Sequence, residues 1–142
     1  MRRKCILLVE DDPDDEALTL RALRRHDLAD DVVVVRDGAE ALAFFYETTR
    51  AGDDPLPELV LLDLKLPKVD GLQVLKMLRE DAHTRRLPVV VLSSSSEEHD
   101  IARSYDLGAN SYVRKPVDFA EFSEAVRQLG IYWLGLNERS PR

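Results

Sequence analysis

Four short apolar runs and a weaker fifth alternate along the chain with longer segments that have the composition of helices. The apolar runs lack polar alternation, which is typical of strands buried on both faces of a sheet. Strands are therefore expected at residues 5–9, 32–35, 59–62, 88–92 and 111–114. Helices are expected at residues 14–26, 38–49, 71–82 and 97–107, with a last helix that begins at about Asp118.

This alternation predicts an α/β protein of the doubly wound type. Its parallel strands would be joined by right-handed crossovers, with helices on both faces of the sheet. The expected helix ends carry suitable signals, since Gly52 and Gly108 follow helical segments and Asp118 has Glu121 three residues later. Ligands of such folds bind beyond the carboxyl ends of the strands, so functional residues are sought there.

Composition narrows the class of protein further. The length of 142 residues suits one domain, and 44% hydrophobic residues suffice for a core. The net charge of −7 argues against nucleic acid as a partner, because the phosphate backbone would be repelled. The lone Cys5 cannot form an internal disulfide, and no apolar run is long enough for a membrane span or a signal peptide. We therefore expect a cytoplasmic protein that does not bind membranes.

Polar side chains follow four of the expected strands at the same edge of the sheet. The acidic residues 10–12 follow the first strand, Asp63 the third, Ser93 the fourth and Lys115 the fifth. Converging carboxylates repel one another unless a cation lies among them. Oxygen ligands of this kind indicate Mg²⁺, and a hydroxyl with an ammonium group suits phosphoryl oxygens. The edge is therefore predicted to bind a metal ion and a phosphoryl group.

The phosphoryl group is expected to be covalent rather than part of a bound nucleotide. Neither of the glycine-rich phosphate-binding patterns, G-x-x-x-x-G-K and G-x-G-x-x-G, occurs in the sequence. A carboxylate can attack phosphorus beside a metal ion and form an aspartyl phosphate. Asp63, at the end of the central strand, is the best placed candidate.

Four motifs, each at an expected strand end, resemble those of response-regulator receiver domains of two-component signalling. They are L-L-V-E-D-D at residues 7–12, L-L-D-L-K-L-P-K-V-D-G at 61–71, V-V-V-L-S-S at 89–94 and G-A-N-S-Y-V-R-K-P at 108–116. The resemblance extends from Lys4 to about Gly130, so residues 1–130 would be the receiver domain. It implies a flavodoxin-like (CheY-like) sandwich of three layers, with strand order 2-1-3-4-5 and five helices.

The same resemblance assigns roles at the acidic edge. It implies that Asp63 accepts the phosphoryl group and that Asp11 binds Mg²⁺ directly. Glu10 would act on the metal through water, and the backbone carbonyl of Lys65 would complete the protein ligands. Glu10 stands where aspartate is commoner in the family, which leaves open whether its contact is direct or through water. Asp12 would lie just outside the metal site.

Further roles follow from the resemblance at the other strand ends. Ser93 and Lys115 would contact the phosphoryl oxygens, and the peptide bond between Lys115 and Pro116 would be cis. Tyr112 would turn inward when Ser93 moves toward the phosphoryl group. Ser93 replaces the commoner threonine, which keeps the hydroxyl group and removes a methyl group.

The last helix has an apolar stripe that continues past Gly130 into residues 131–142. Such a stripe normally covers the sheet, but Ile131, Tyr132 and Leu134 add a second apolar surface. We expect a homodimer through this helix, with the C-terminal extension as a dimerisation tail. The stripe residues expected in the dimer are Phe122, Val126, Leu129, Trp133 and Leu136. The tail is similar to that of single-domain regulators paired with phytochrome histidine kinases.

Together with the residues at the acidic edge, the resemblance implies a stand-alone phosphoacceptor that takes its phosphoryl group from a sensor histidine kinase. It would catalyse only its own phosphorylation and dephosphorylation, and would signal through the face formed by helix 4, strand 5 and helix 5. A phosphatase of the haloacid-dehalogenase type is an alternative, but Lys65 stands where its second aspartate is needed. A flavodoxin-like cofactor binder lacks its phosphate loop here, and a non-phosphorylated adaptor with this fold stays open.

Overall fold

The computed structural model describes residues 4–28, 31–51 and 56–141, which form a five-stranded parallel sheet with helices on both faces. The strand order is β2-β1-β3-β4-β5, as predicted. The strands are β1 Cys5–Val9, β2 Asp31–Val35, β3 Leu59–Leu62, β4 Val89–Ser93 and β5 Ser111–Arg114. The helices are α1 Pro13–Arg25, α2 Gly38–Ala51, α3 Gly71–Glu80, α4 Glu98–Asp106 and α5 Phe119–Gly130, followed by a π-helical segment at Ile131–Leu136. These bounds agree with the predicted ones to within two residues.

The apolar runs form strands because both of their faces are covered. In β1, Leu7 and Val9 face a core shared with α2 and α3, whereas Ile6 and Leu8 face a second core shared with α1 and α5. All four side chains are buried. A strand with two buried faces needs no polar alternation, which is the pattern of the sequence.

The register of the central strands places the acidic edge. Val9 pairs with Leu62 at the ends of β1 and β3, and the backbone N–H of Asp63 donates to the carbonyl of Val9 at 3.1 Å. The residues that follow these two strands are therefore neighbours in space. This register brings Glu10 next to Asp63.

Helix caps fix where the chain leaves this edge. The side chain of Asp12 caps α1 by accepting a 2.8 Å hydrogen bond from the backbone N–H of Asp14. Asp118 caps α5 by accepting from the N–H of Glu121 at 3.1 Å, which confirms the predicted cap. Gly108 ends α4 with a positive φ of 102°, a backbone conformation that favours glycine. Gly52, the other predicted helix stop, lies outside the described residues.

The bond between Lys115 and Pro116 is trans, as is every peptide bond in the described part of the chain. The predicted cis bond is therefore wrong. The backbone N–H of Lys115 donates to the carbonyl of Ser93 at 2.8 Å, which continues the pairing of β4 and β5 up to the proline. The free-energy difference between the two isomers before proline is only about 0.5–1 kcal/mol, so local contacts decide it.

The C-terminal segment departs from the predicted helical period. After Gly130 the helix widens into a π-helical turn, in which Asn137 donates to the carbonyl of Tyr132, five residues earlier, at 2.7 Å. A wider turn changes which residues face the sheet. Leu134 is consequently buried with 8% exposure, whereas Leu136 is 71% exposed.

The structure also corrects two of the expected dimer contacts. Phe122 and Val126 have exposures of 2% and 1%, because they pack against the sheet in the core that α1 shares. A partner cannot reach them without unfolding α5. Leu129 and Trp133 are half-buried at the edge of the same core. For the expected dimer, the side chains left accessible to a partner are therefore those on the outer side of the C-terminal segment.

Within the described residues, no helix is both long and apolar enough to cross a membrane.

Candidate functional site

Three carboxylates meet at the carboxyl ends of β1 and β3. The ligand oxygens of Glu10, Asp11 and Asp63 all lie within 4.8 Å of one another. Glu10 and Asp63 are buried, whereas Asp11 is exposed and faces solvent. The predicted convergence of these three side chains is therefore present, with one open side.

A single ammonium group lies among the carboxylates. Lys115 Nζ donates to Glu10 Oε1 at 2.7 Å and to Asp15 Oδ2 at 2.8 Å, and lies 3.5 Å from Asp63 Oδ2. The side chain of Lys115 is only 7% exposed. Because charges interact strongly at buried positions, this cation offsets much of the repulsion between the acids.

Asp15 is a member of this cluster that the sequence analysis missed. It lies in the first turn of α1, where acidic residues are common for the local reason that they favour the helix N-terminus. A signal was present, however, because α1 begins directly after the acidic edge. A residue four positions after Asp11 lies one helical turn above that edge.

Burial shifts the protonation equilibria of the two most enclosed groups. Burial raises the pKa of Glu10 from 4.5 to about 7, and the charge of Asp63 adds to this rise, although Lys115 opposes it. Burial alone would lower the pKa of Lys115. Hydrogen bonds to Asp15 and Glu10 and the charge of Asp63 outweigh that effect and raise the pKa of Lys115 above its ordinary value. The ammonium is therefore charged at any physiological pH.

The donor set fits a hard divalent cation. Carboxylate oxygens are the ligands that Mg²⁺ and Mn²⁺ prefer, and Mg²⁺ usually takes one or two of them while keeping several waters. The exposed Asp11 leaves room for those waters. Lys65 lies on the exposed loop after β3, and no backbone N–H of the described residues donates to its carbonyl oxygen. The role of that oxygen as a further ligand stays a prediction from the family resemblance.

Ser93 and Tyr112 lie beside this edge on β4 and β5. Ser93 is fully buried, and its hydroxyl accepts from the backbone N–H of Ser95 at 3.2 Å. The Tyr112 hydroxyl donates to the carbonyl of Ser95 at 2.9 Å. Ser93 and Tyr112 thus both hold the loop after β4 through hydrogen bonds with Ser95.

No side chain makes a capping hydrogen bond at Glu97, the residue before α4. The Ser95 hydroxyl accepts from the backbone N–H of Glu97 at 3.3 Å and donates to Asp100 Oδ2 at 2.6 Å. This bond ties the loop to the first turn of α4. Ser95 therefore connects Ser93 to α4 through hydrogen bonds.

Residues 6–127 match the family model of the response regulator receiver domain. The chain belongs to this family. The match covers all five strands and most of α5, including every residue of the acidic edge.

Known receivers resemble this chain over nearly their whole length. The response regulator Rcp1 of Synechocystis is 37% identical, with 92% of this chain and 89% of Rcp1 covered. The crystal structure of the phosphorylated cyanobacterial phytochrome response regulator RcpA superposes with a TM-score of 0.90 at 38% identity, covering 99% of this chain and 100% of RcpA. The bacteriophytochrome response regulator RtBRR is 51% identical, with a TM-score of 0.76 and coverage of 99% and 86%.

One of these relatives has been solved with a metal ion. The Mn²⁺-bound form of Rcp1 superposes on this receiver with a TM-score of 0.87 over 97% of the chain. Receiver domains therefore bind divalent metal, and the acidic edge of this one has the matching donor set.

Metal stabilisation of this receiver is expected to grow as the pH rises from 6 to 8. In the folded protein the pKa of Glu10 is raised to about 7, above its ordinary 4.5. The folded state therefore binds a proton more tightly than the unfolded state, so stability without metal falls as the pH rises through 7. A divalent cation binds the ionised carboxylate, and its affinity should weaken by up to about tenfold per pH unit below 7.

Thermal unfolding with and without Mn²⁺ at several pH values measures this effect. Glu10→Gln provides the control, because it keeps the shape of the side chain and removes its titration. The shift in Tm on metal addition should depend on pH in the wild type and be flatter in the variant. An equal shift at pH 6 and pH 8 in the wild type would contradict the assignment of Glu10 to the metal site.

Proposed function

We propose that this receiver is the phosphoacceptor of a two-component system and that Asp63 carries the phosphoryl group. The observation that carries the proposal is the convergence of Glu10, Asp11 and Asp63 around the buried ammonium of Lys115. Such a cluster provides both a nucleophile and positive charge at one point. Asp63 is the acid at the end of the central strand, and its Oδ2 lies 3.5 Å from the ammonium of Lys115.

In the proposed reaction, a carboxylate oxygen of Asp63 attacks the phosphorus of a phosphohistidine. The bond from phosphorus to oxygen forms as the bond from phosphorus to nitrogen breaks, and the imidazole leaves with a proton. Hydrolysis removes the phosphoryl group again. Water attacks the phosphorus, and the carboxylate of Asp63 is released with inorganic phosphate. The chain contributes positioning and electrostatic stabilisation, and in this sense it catalyses only its own modification.

Mg²⁺ is the proposed metal, held by Asp11, Asp63 and the carbonyl of Lys65, with Glu10 bound directly or through water. When bound, the ion neutralises negative charge on the phosphoryl oxygens. Lys115 donates to one phosphoryl oxygen, and the Ser93 hydroxyl donates to another. These contacts are charge-assisted and short, so they hold the added group in one orientation.

The proposed signal travels from Ser93 to the face formed by α4, β5 and α5. A phosphoryl group adds about −1.5 to −2 charges, which would draw the Ser93 hydroxyl toward Asp63. The bond that the Ser95 N–H donates to the Ser93 hydroxyl, and with it the bond from Tyr112 to the Ser95 carbonyl, would then rearrange. A tenfold shift between two conformations needs only about 1.4 kcal/mol, which a few such contacts can supply.

The proposed partner is a sensor histidine kinase of the phytochrome type. Support comes from the similarity to RcpA and RtBRR, which are named as response regulators of a phytochrome and a bacteriophytochrome. The alternative of a phosphatase has little support, because the exposed Lys65 occupies the position where the second aspartate would be required. Labelling with acetyl phosphate distinguishes the proposed phosphoacceptor from an adaptor that is never phosphorylated.

The test is incubation with acetyl phosphate and Mg²⁺, followed by intact mass measurement. One phosphoryl adduct that requires the metal is expected, together with faster labelling by a phosphorylated phytochrome kinase than by acetyl phosphate. Absence of any adduct under conditions that label Rcp1 would favour the adaptor. Release of inorganic phosphate from added phosphomonoesters would favour the phosphatase.

We also propose that the receiver forms a homodimer through the C-terminal segment. Its exposed apolar side chains are Ile131 at 42%, Tyr132 at 49% and Leu136 at 71%. A groove of about 410 Å³ lies nearby, beside β5. Leu129 and Trp133 help to line this groove. Several large apolar side chains exposed on one short segment often mark an interaction surface, and a second copy is the proposed cover.

Removal of these exposed side chains should weaken the dimer without unfolding the protein. Tyr132→Ser and Leu136→Ser together are expected to raise the dimer dissociation constant at least about tenfold, since each removes apolar contact area. Sedimentation at several concentrations measures the change, with Tyr46→Ser, an exposed tyrosine of α2, as the matched control. A wild-type protein that stays monomeric at tens of micromolar would contradict the proposal.

A further inference from the structure

Asp15 shares the ammonium group of Lys115 with the phosphoacceptor. The distance from Lys115 Nζ to Asp15 Oδ2 is 2.8 Å, whereas the distance to Asp63 Oδ2 is 3.5 Å. A charge-assisted hydrogen bond between nitrogen and a carboxylate oxygen is normally about 2.7–2.9 Å long. The ammonium is therefore bonded fully to Asp15 of α1 and to Glu10, at 2.7 Å, and only loosely to Asp63.

The position of Asp15 is fixed by its helix. Its backbone N–H donates to the Asp12 side chain at 3.3 Å, and its carbonyl accepts from the hydroxyl of Thr19 at 2.8 Å. Thr19 is fully buried, so the first turn of α1 is anchored against the protein interior. Lys115 has a long flexible side chain by comparison. The helix therefore fixes the backbone of Asp15 next to the ammonium of Lys115.

We propose that Asp15 is a positioning residue that holds Lys115 away from Asp63 in the resting receiver. An incoming phosphoryl group must then compete with Asp15 for the ammonium. This inference rests on the proposed function, because it takes Lys115 as a contact of the phosphoryl oxygens. Asp15, a residue outside the strand ends, would then help to determine how tightly the phosphoryl group is bound.

The competition has a definite direction. The carboxylate of Asp15 attracts the lysine that the phosphoryl group needs, and its negative charge also repels that group. Asp15 is 32% exposed, so solvent screens part of this interaction. Neutralising Asp15 should therefore strengthen binding of a phosphoryl-like anion moderately. A purely structural role of Asp15 would instead weaken binding when the residue is changed.

The experiment measures beryllofluoride binding in the presence of Mg²⁺ by calorimetry. Beryllofluoride is an anionic analogue of the phosphoryl group. Asp15→Asn keeps the size of the side chain and should lower the dissociation constant about fivefold to tenfold. Asp15→Glu keeps the charge and should stay within about twofold of the wild type. Asp14→Asn is the matched control, because this exposed neighbour loses the same charge in the same helical turn without contacting Lys115.

Asp15→Asn binding no tighter than Asp14→Asn would overturn the proposal. The crystal structure of metal-free Asp15→Asn gives an independent readout. The distance from Lys115 Nζ to Asp63 Oδ2 should fall from 3.5 Å to about 2.8 Å. An unchanged distance contradicts the inference whether or not any anion binds. If instead the wild type fails to bind beryllofluoride while this distance shortens, the proposed function is wrong and the positioning role of Asp15 stands.

Discussion

Asp63→Asn is expected to abolish phosphorylation of this receiver by acetyl phosphate and by its kinase. The amide is a poor nucleophile and cannot form the acyl phosphate, so labelling should fall by at least about 10³-fold. The substitution also removes one of three converging negative charges. The folded protein should consequently be as stable as the wild type or more so. Intact mass measurement gives the labelling, and urea unfolding gives the stability.

A second aspartate of the same loop region provides the control. Asp70 is exposed at the start of α3, where its side chain makes no capping hydrogen bond. Asp70→Asn should therefore be labelled as fast as the wild type. Phosphorylation that persists in Asp63→Asn at the wild-type rate would contradict the assignment of the acceptor.

Lys115→Met is expected to produce the largest loss of stability among the substitutions at this edge. The ammonium is the cation that offsets Glu10, Asp15 and Asp63, and Glu10 is only 2% exposed. Removal of one partner from a buried ion pair costs about 3–5 kcal/mol, because the remaining charge is left without compensation. Urea unfolding in the absence of divalent cations measures this loss. Labelling of Asp63 should also slow by about 10²-fold, since a positive charge near the phosphoryl oxygens is lost.

The loss of stability in Lys115→Met has an expected pH dependence. The pKa of Glu10 is already raised to about 7, and loss of the lysine removes an interaction that lowers it. Protonation of Glu10 relieves the repulsion, so the deficit should be largest at pH 8 and smaller at pH 6. Lys76→Met, an exposed lysine of α3, should change stability by less than about 0.5 kcal/mol. A deficit in Lys115→Met that is no larger than in this control would contradict the electrostatic role.

Most of the fold could be predicted because its strands are buried on both faces. Runs such as residues 59–62 contain only apolar side chains, and that pattern fixes both the strands and the parallel sheet. The acidic edge followed from the same pattern, since the residues after buried parallel strands must share one edge. The positions of Asp11, Asp63 and Lys115 could therefore be inferred before any distance was measured.

What could not be predicted depends on local geometry rather than on pattern. The α-helical period after Gly130 predicts Trp133 and Leu136 in the dimer surface and Leu134 on a second apolar surface, but the π-helical turn buries Leu134 and half-buries Trp133 against the core. The contact between Asp15 and Lys115 joins residues 100 positions apart, and the position of Asp15 one helical turn after the acidic edge is only a local signal for it. The isomer of the bond before Pro116 depends on a small free-energy difference. Each of these features requires the folded coordinates.

Chemical trapping, which locates the phosphoryl group, tests the assignment of Asp63 as the phosphoacceptor most directly. Borohydride reduces an acyl phosphate to an alcohol, so reduction of the labelled receiver should convert residue 63 from aspartate to homoserine, which peptide mass spectrometry can locate. If Asp63 is the phosphoacceptor, this conversion occurs at Asp63 only, and only when the receiver was labelled in the presence of Mg²⁺. Homoserine at Asp11 or Asp15, or a label that resists borohydride, would contradict it.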